Sequence, residues 1–311
     1  MNVNSRRFKA VDILLILGMI LPLLAAMVLR ILTAPPTDGI EITGALVYFT
    51  IPMPIQNLPI TEAQVNSVAV ILTILFACLY LTHGIAVRPG TKRQLAAEWI
   101  VEKAQGMVDT NMGEYFKGFA PFVAGIMALS ALSSLSSLLG LFPPTSDMNI
   151  VAGWAILVFI LITYYKCKAG PLHYLKSYAE PIPFLLPMNI ISEAATPVSM
   201  AFRHYGNILS GSIISVLIAA ALSGLSNVAL GWLPGVLGEV LGNSQILRVG
   251  IPAVLSLYFD IFSGGLQAFI FATLTMMYVS GGFPQSEFEE RRAKREAKKR
   301  ARAEAKAAKT A

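Results

Sequence analysis

The chain has 311 residues, 55% of them hydrophobic and only 14% charged, with a formal net charge of +6 at pH 7. A soluble domain carries about 25% charged residues, so the composition excludes a soluble enzyme and requires a bilayer. The basic excess sits in loops and one C-terminal tail, a pattern of membrane orientation with no nucleic-acid partner.

The first apolar run, Val11 to Thr33, follows Arg6, Arg7 and Lys9. It is longer than the roughly 7–15 apolar residues of a signal peptide and is read as a retained span. Further runs near the roughly 20 residues that cross a bilayer occupy 66–87, 119–141, 150–166, 186–222 and 246–283. Six spans leave both termini on one side. That side carries 21 of the 24 Lys and Arg residues, whereas segments 34–65, 142–149 and 223–245 carry none. The positive-inside rule makes the basic side cytoplasmic. Lipid is therefore one expected partner, and the localisation is a multi-pass cell (plasma) membrane protein. Of the three remaining basic residues, Arg30 and Arg248 stand near span ends and are expected to snorkel to the headgroups.

Between the second and third spans, Leu95, Trp99, Val108, Met112 and Tyr115 fall near helical spacing. This predicts an amphipathic helix over 92–116, lying on the cytoplasmic surface or packed on a partner. Ser133, Ser134, Ser136 and Ser137 read as small-residue packing in the third span, and Asp147 and His173 as loop residues. The last two spans are overlong. Residues 186–222 correspond to roughly 55 Å of helix against a hydrocarbon core of roughly 30 Å, so the pair is expected to form a long tilted hairpin. Pro187 and Pro197 offer kinks. The fold class is an all-α integral membrane protein of about six membrane helices plus one surface helix. Its parts are 1–65, an N-terminal helix and external loop; 66–283, the translocating region; and 284–311, a basic cytoplasmic tail.

The chemistry lies in the fifth and sixth spans. Arg203 stands mid-span, where it costs about 2.5–3.5 kcal/mol on insertion scales, so it requires a partner or a task. Ser199, Arg203, Asn207 and Ser210 recur at helical spacing as one polar stripe, with Gly206 and Gly211 beside it for close helix approach. Glu193 lies toward the cytoplasm. On the antiparallel sixth span, Gln267 is central and expected to meet Arg203. Asp260 lies seven residues earlier, on the same face and toward the outside, with Gly264 between them. Two carboxylates thus flank one arginine. The scattered histidines and two cysteines form no metal or disulfide pattern, and no cofactor is expected.

These residues resemble subunit a of the F-type rotary ATP synthase. The resemblance rests on PVSMAFRHYGNILSG at 197–211 and GLQAFIFATLTMMYVS at 265–280, supported by FAPFVAGIMALSALSSLSSLLGLFP at 119–143, SDMNIVAGWAI at 146–156 and PMNIISEAATP at 187–197. It covers about residues 66–283. It implies a non-catalytic stator that couples H⁺ or Na⁺ flow through two half-channels to rotation of a c-subunit ring, and so to ATP synthesis. Its implied partners are that ring, the peripheral-stalk b subunits and the remaining ATP synthase subunits. It implies that Arg203 is the essential charge, assisted by Asn207 and Gln267, with Asp260 and Glu193 on the outer and inner paths. The chain departs from the family pattern at Ser212, where an acid or His is common, at Asp260, where His or Glu is common, and at His204, where Leu is usual; packing is the expected role of His204. A stand-alone transporter that binds an anionic substrate at Arg203 is the competing reading. It expects internal repeats, and none is evident.

Overall fold

The computed structural model describes residues 3–33, 44–54, 56–87, 91–168, 182–230 and 257–283, with a few isolated positions between and after them. Most of the tail, residues 231–253 with Arg248 and the expected start of the sixth span at 246, and His173 lie outside the described residues. Helix α1 spans Val3–Thr33. A short antiparallel hairpin follows, β1 Val47–Ile51 paired with β2 Leu58–Thr61. Strand β2 runs directly into α2, Glu62–Thr82, where the Thr61 N–H donates to Gln64 Oε1 at 3.2 Å in a capping box. Then come α3 Lys92–Met112, α4 Ala120–Leu135 and α5 Met148–Cys167. Asp147 caps α5 by accepting the Asn149 N–H at 2.9 Å. Helix α6 spans Leu186–Leu230, and α7, Gly264–Gly281, is preceded by a π-helical turn over Tyr258–Ser263.

Among the described residues, six helical segments are long and apolar enough to cross a membrane: Lys9–Thr33, Glu62–Thr82, Tyr115–Leu139, Met148–Cys167, Pro183–Leu222 and Tyr258–Gly281. Alternation of these spans defines a basic side, holding the α2–α3 and α5–α6 connections, and an acidic side, holding the hairpin and the α4–α5 connection. Leucines and isoleucines of α1 face outward, among them Leu14, Leu21 and Leu32; on a membrane helix that is the lipid face.

The core joins α3, α4, α5 and α7 through Val108, Val123, Val158 and Phe271, with Met200 of α6 at its edge. The amphipathic helix is therefore split in role: Val108 and Met112 are buried in the bundle, while Leu95 and Trp99 are exposed. Glycine permits close approach at two places beside the fifth and sixth spans, as Gly18 does against Phe76 between α1 and α2. A Cβ on Gly264 would stand 2.7 Å from Ser134 Cβ, and one on Gly211 would stand 3.0 Å from the Phe259 ring. The serines at the end of α4 and just after it serve this packing: Ser133, Ser134 and Ser136 are buried. Gly206 has open space where its Cβ would be, so it is not a packing glycine within this chain.

Three further expectations are corrected. Arg30 does not snorkel; its guanidinium pairs with Glu62 at 2.8 Å, because α2 begins four residues earlier than hydropathy suggests and carries Glu62 at its first position. Pro187 is the second residue of α6, where a missing N–H costs nothing, so it starts the helix and does not kink it. Pro197 is the interior proline; it removes the N–H that would reach the Glu193 carbonyl. The acidic-side loop cannot begin at 223, since α6 continues to Leu230. At 45 residues α6 is roughly 68 Å long, more than twice the hydrocarbon thickness.

Candidate functional site

The site is built along α6. Near its start, on the basic side, a cavity of about 380 Å³ is lined by Glu193, Lys166, Asn189, Ser192, Thr196 and Tyr278 among others. Lys166 Nζ lies 2.9 Å from Glu193 Oε1. The Tyr174 hydroxyl donates to the same oxygen at 2.9 Å, and Tyr178 hydrogen-bonds to Tyr174. Burial pushes both phenols above their usual range; the Glu193 charge adds to this for each. Both tyrosines therefore stay protonated and remain donors at neutral pH. The Glu193 side chain, 12% exposed, is thus held by an ammonium and a phenol while it lines the cavity.

Farther along α6, on the acidic side, a second cavity of about 530 Å³ is lined by Tyr205, Asn207, Ser212, Ser215 and Asp260, with Arg30 at its rim. Asn207 Nδ2 donates to Ser263 Oγ at 2.8 Å. Asp260 and Ser263 both belong to the π-helical turn. Such turns widen a helix locally and recur at functional sites; here the turn brings Asp260 toward α6 across from Gly211.

No residue lines both cavities, and Arg203 lines neither. Ten residues separate Glu193 from Arg203 and nine separate Arg203 from Ser212, roughly 15 and 14 Å of helix. Arg203 is exposed on the outer face of the bundle, together with Ser199 and Ser210, and Asn207 is half-buried on the same stripe. Among the described residues Arg203 makes no ion pair or hydrogen bond, so it is not a strut to Asp260.

Among the described residues no hydrogen bond joins Gln267 to Arg203. Gln267 is only 4% exposed, inside the bundle. The residue that α6 turns inward is the next one: His204 is fully buried, with Nε2 3.3 Å from Ser130 Oγ and its ring edge-on to Trp154 and Phe271. One residue is about 100° of helix, so an inward His204 sends Arg203 to the outer face. Likewise Asp260 and Gln267 do not share a face in the simple sense, because the seven-residue count assumes α-helical turns and a π-helical turn intervenes. Sequence reasoning missed Lys166, Tyr174 and Tyr178 around Glu193, and Ser263 beside Asn207. Lys166 was read only as a topology charge; the tyrosines carried no usable signal, being separated from Glu193 by a loop. Among the described residues, no group of three or more His, Cys, Asp or Glu could hold a metal.

Comparison with known proteins now bears on this arrangement. The model of the ATP synthase A chain family matches residues 65–280. The chain belongs to that family. It is 35% identical over 229 residues to a protein named ATP synthase subunit a from Bacillus pumilus, covering 69% of this chain and 88% of the relative. It is 35% identical over 234 residues to the Bacillus subtilis protein of the same name, covering 71% and 91%. A third, from Desulforamulus reducens, is 33% identical over 219 residues, covering 69% and 75%. Membership makes the chain a multi-pass subunit of the ATP synthase membrane sector. The matched region contains both cavities' principal polar residues, Glu193, Asn207 and Asp260, whereas α1 and the hairpin lie before it.

Proposed function

We propose that this chain is the stator that couples ion flow to rotation of a neighbouring ring of c subunits, with peripheral-stalk b subunits holding it in place. The observation that carries the reading is the position of Arg203: outward-facing, without a partner among the described residues, and between two cavities that share no lining residue. A guanidinium that costly in lipid is balanced when a mid-membrane carboxylate of another chain comes to face it.

In this mechanism an ion, H⁺ or Na⁺, enters from outside through the acidic-side cavity past Asp260, Ser212 and Asn207. It neutralises a ring carboxylate, which can then turn into lipid. After almost a full turn the ion leaves past Thr196 and Glu193 through the basic-side cavity to the cytoplasm. The Arg203 charge favours the ionised form of a facing carboxylate and so drives release. It also repels a cation that would cross directly between the cavities. Each charge delivers about 2.3 kcal/mol per 100 mV, so several must pass for each ATP made; the nucleotide chemistry belongs to other subunits. A stand-alone transporter that binds an anion at Arg203 would need that residue inside a cavity, and it lines neither.

The test is ATP synthesis and ATP-driven pumping in vesicles holding the whole complex with Arg203→Ala. The expected result is loss of both with normal subunit content. Coupled pumping at the wild-type rate would refute the reading.

A further inference from the structure

The acidic-side cavity is walled in part by residues outside the matched family region. Arg30, on α1, and Gly44, just before the hairpin, both line it. Arg30 is the telling one. Its guanidinium is 37% exposed and pairs at 2.8 Å with Glu62, whose side chain is 2% exposed. Glu62 Oε1 also accepts the Phe142 N–H at 3.2 Å, and Asn66 Nδ2 donates to the Phe142 carbonyl at 2.8 Å. Phe142 itself lines the cavity. The pair therefore stands at the rim, with the cation facing the cavity and the anion behind it. Among the described residues, the other charged or titratable groups at this corner are Asp260 and Tyr205, which line the cavity, and Tyr48 of β1, whose phenol burial and then the Glu62 charge push upward.

A lone guanidinium at the mouth of a cation path would raise the potential there and deplete the ion to be taken up. We infer that Glu62 is a positioning and charge-compensating residue for ion uptake: it holds Arg30 as a clasp between α1 and the α4–α5 connection while cancelling its charge at the cavity mouth. The inference rests on the reading of this cavity as the outer ion path. The neutrality of the pair keeps a fixed positive charge off the lining that a cation meets.

The opposite signs of the two partners give the test. The complete ATP synthase is reconstituted in vesicles, and ATP synthesis is driven by an imposed gradient. Ionic strength is set with choline chloride at about 0.01 M and about 1 M, where the Debye length is about 30 Å and about 3 Å. Glu62→Gln keeps the acceptor oxygen for Phe142 and removes only the charge. It is expected to slow synthesis roughly two- to fivefold at low salt, the size of effect of one unit charge beside a water-filled path, and to recover at high salt. Arg30→Gln is expected to leave the low-salt rate at or above wild type, and the double variant to match wild type at both salts. A clasp with no electrostatic role would lower the rate in both single variants, independently of salt, and that result overturns the inference, as does a Glu62→Gln rate equal to wild type at low salt. Arg203→Ala runs in parallel: if it still synthesises ATP the underlying reading fails, whereas if it is inactive and Glu62→Gln is unaffected only the present inference fails.

Discussion

One side chain decides where the critical charge points. His204 is fully buried against Ser130, Trp154 and Phe271, and its inward anchoring directs its neighbour Arg203 outward. This gives a clear expectation for two substitutions. His204→Leu keeps most of the volume and should leave assembly and pumping near wild type. His204→Ala opens a cavity and should destabilise the chain by roughly 2–5 kcal/mol, the range for truncating a large buried side chain, read as a lower thermal midpoint of the purified complex. Loss of pumping in a stably assembled His204→Leu variant would instead give the imidazole a direct part in ion transfer. That the histidine packs was expected from the sequence, but its neighbours Ser130, Trp154 and Phe271 were not. Nor was its consequence for Arg203, because a stripe at helical spacing says which residues share a face but not which way the face turns.

Helix contacts separate the glycines that pack from those that do not. Gly264 lets α7 approach α4 so closely that a Cβ would collide with Ser134, whereas Gly206 has no neighbour within 4 Å. Gly264→Ala should therefore destabilise the subunit by about 1–3 kcal/mol, the usual cost of overpacking, while Gly206→Ala should leave the thermal midpoint unchanged. Equal midpoints for the two variants would contradict the close approach of α4 and α7. The sequence offered Gly206 and Gly211 for close approach and gave Gly264 no packing role; of the two, only Gly211 stands against a neighbour. Hydropathy also located the six spans well, because a run of apolar residues long enough to cross a bilayer is a strong signal. It missed the hairpin Val47–Ile51 and Leu58–Thr61, whose aromatic and β-branched residues are too few to register beside the spans. It missed the π-helical turn that brings Asp260 to the acidic-side cavity, since periodicity assumes uniform turns. Helix α1 is tied to α2 and α3 at both ends, by Arg30 with Glu62 and by Asp12 with Arg93 at 2.7 Å and His83 at 3.0 Å. Those pairings are long-range and invisible to local spacing.

The bundle presents two cavities along one very long helix, one near its start and one at its middle, with a polar stripe bearing Arg203 on the outside between them. The cavities account for some of the polar residues the chain retains, Glu193, Asn207 and Asp260 as lining and Glu62 as a clasp. The stripe explains why the bundle is incomplete alone, for Ser199, Arg203 and Ser210 face away from the core. The central claim is that this outward face meets the ring's membrane carboxylate. Disulfide cross-linking in the assembled, cysteine-free complex tests it most directly, with one cysteine placed beside the ring carboxylate and one at Ser199→Cys, Ser210→Cys or the buried control Ala201→Cys. The account predicts cross-links to positions 199 and 210 and none to 201; no cross-link from either stripe position, in a complex that still makes ATP, would contradict it.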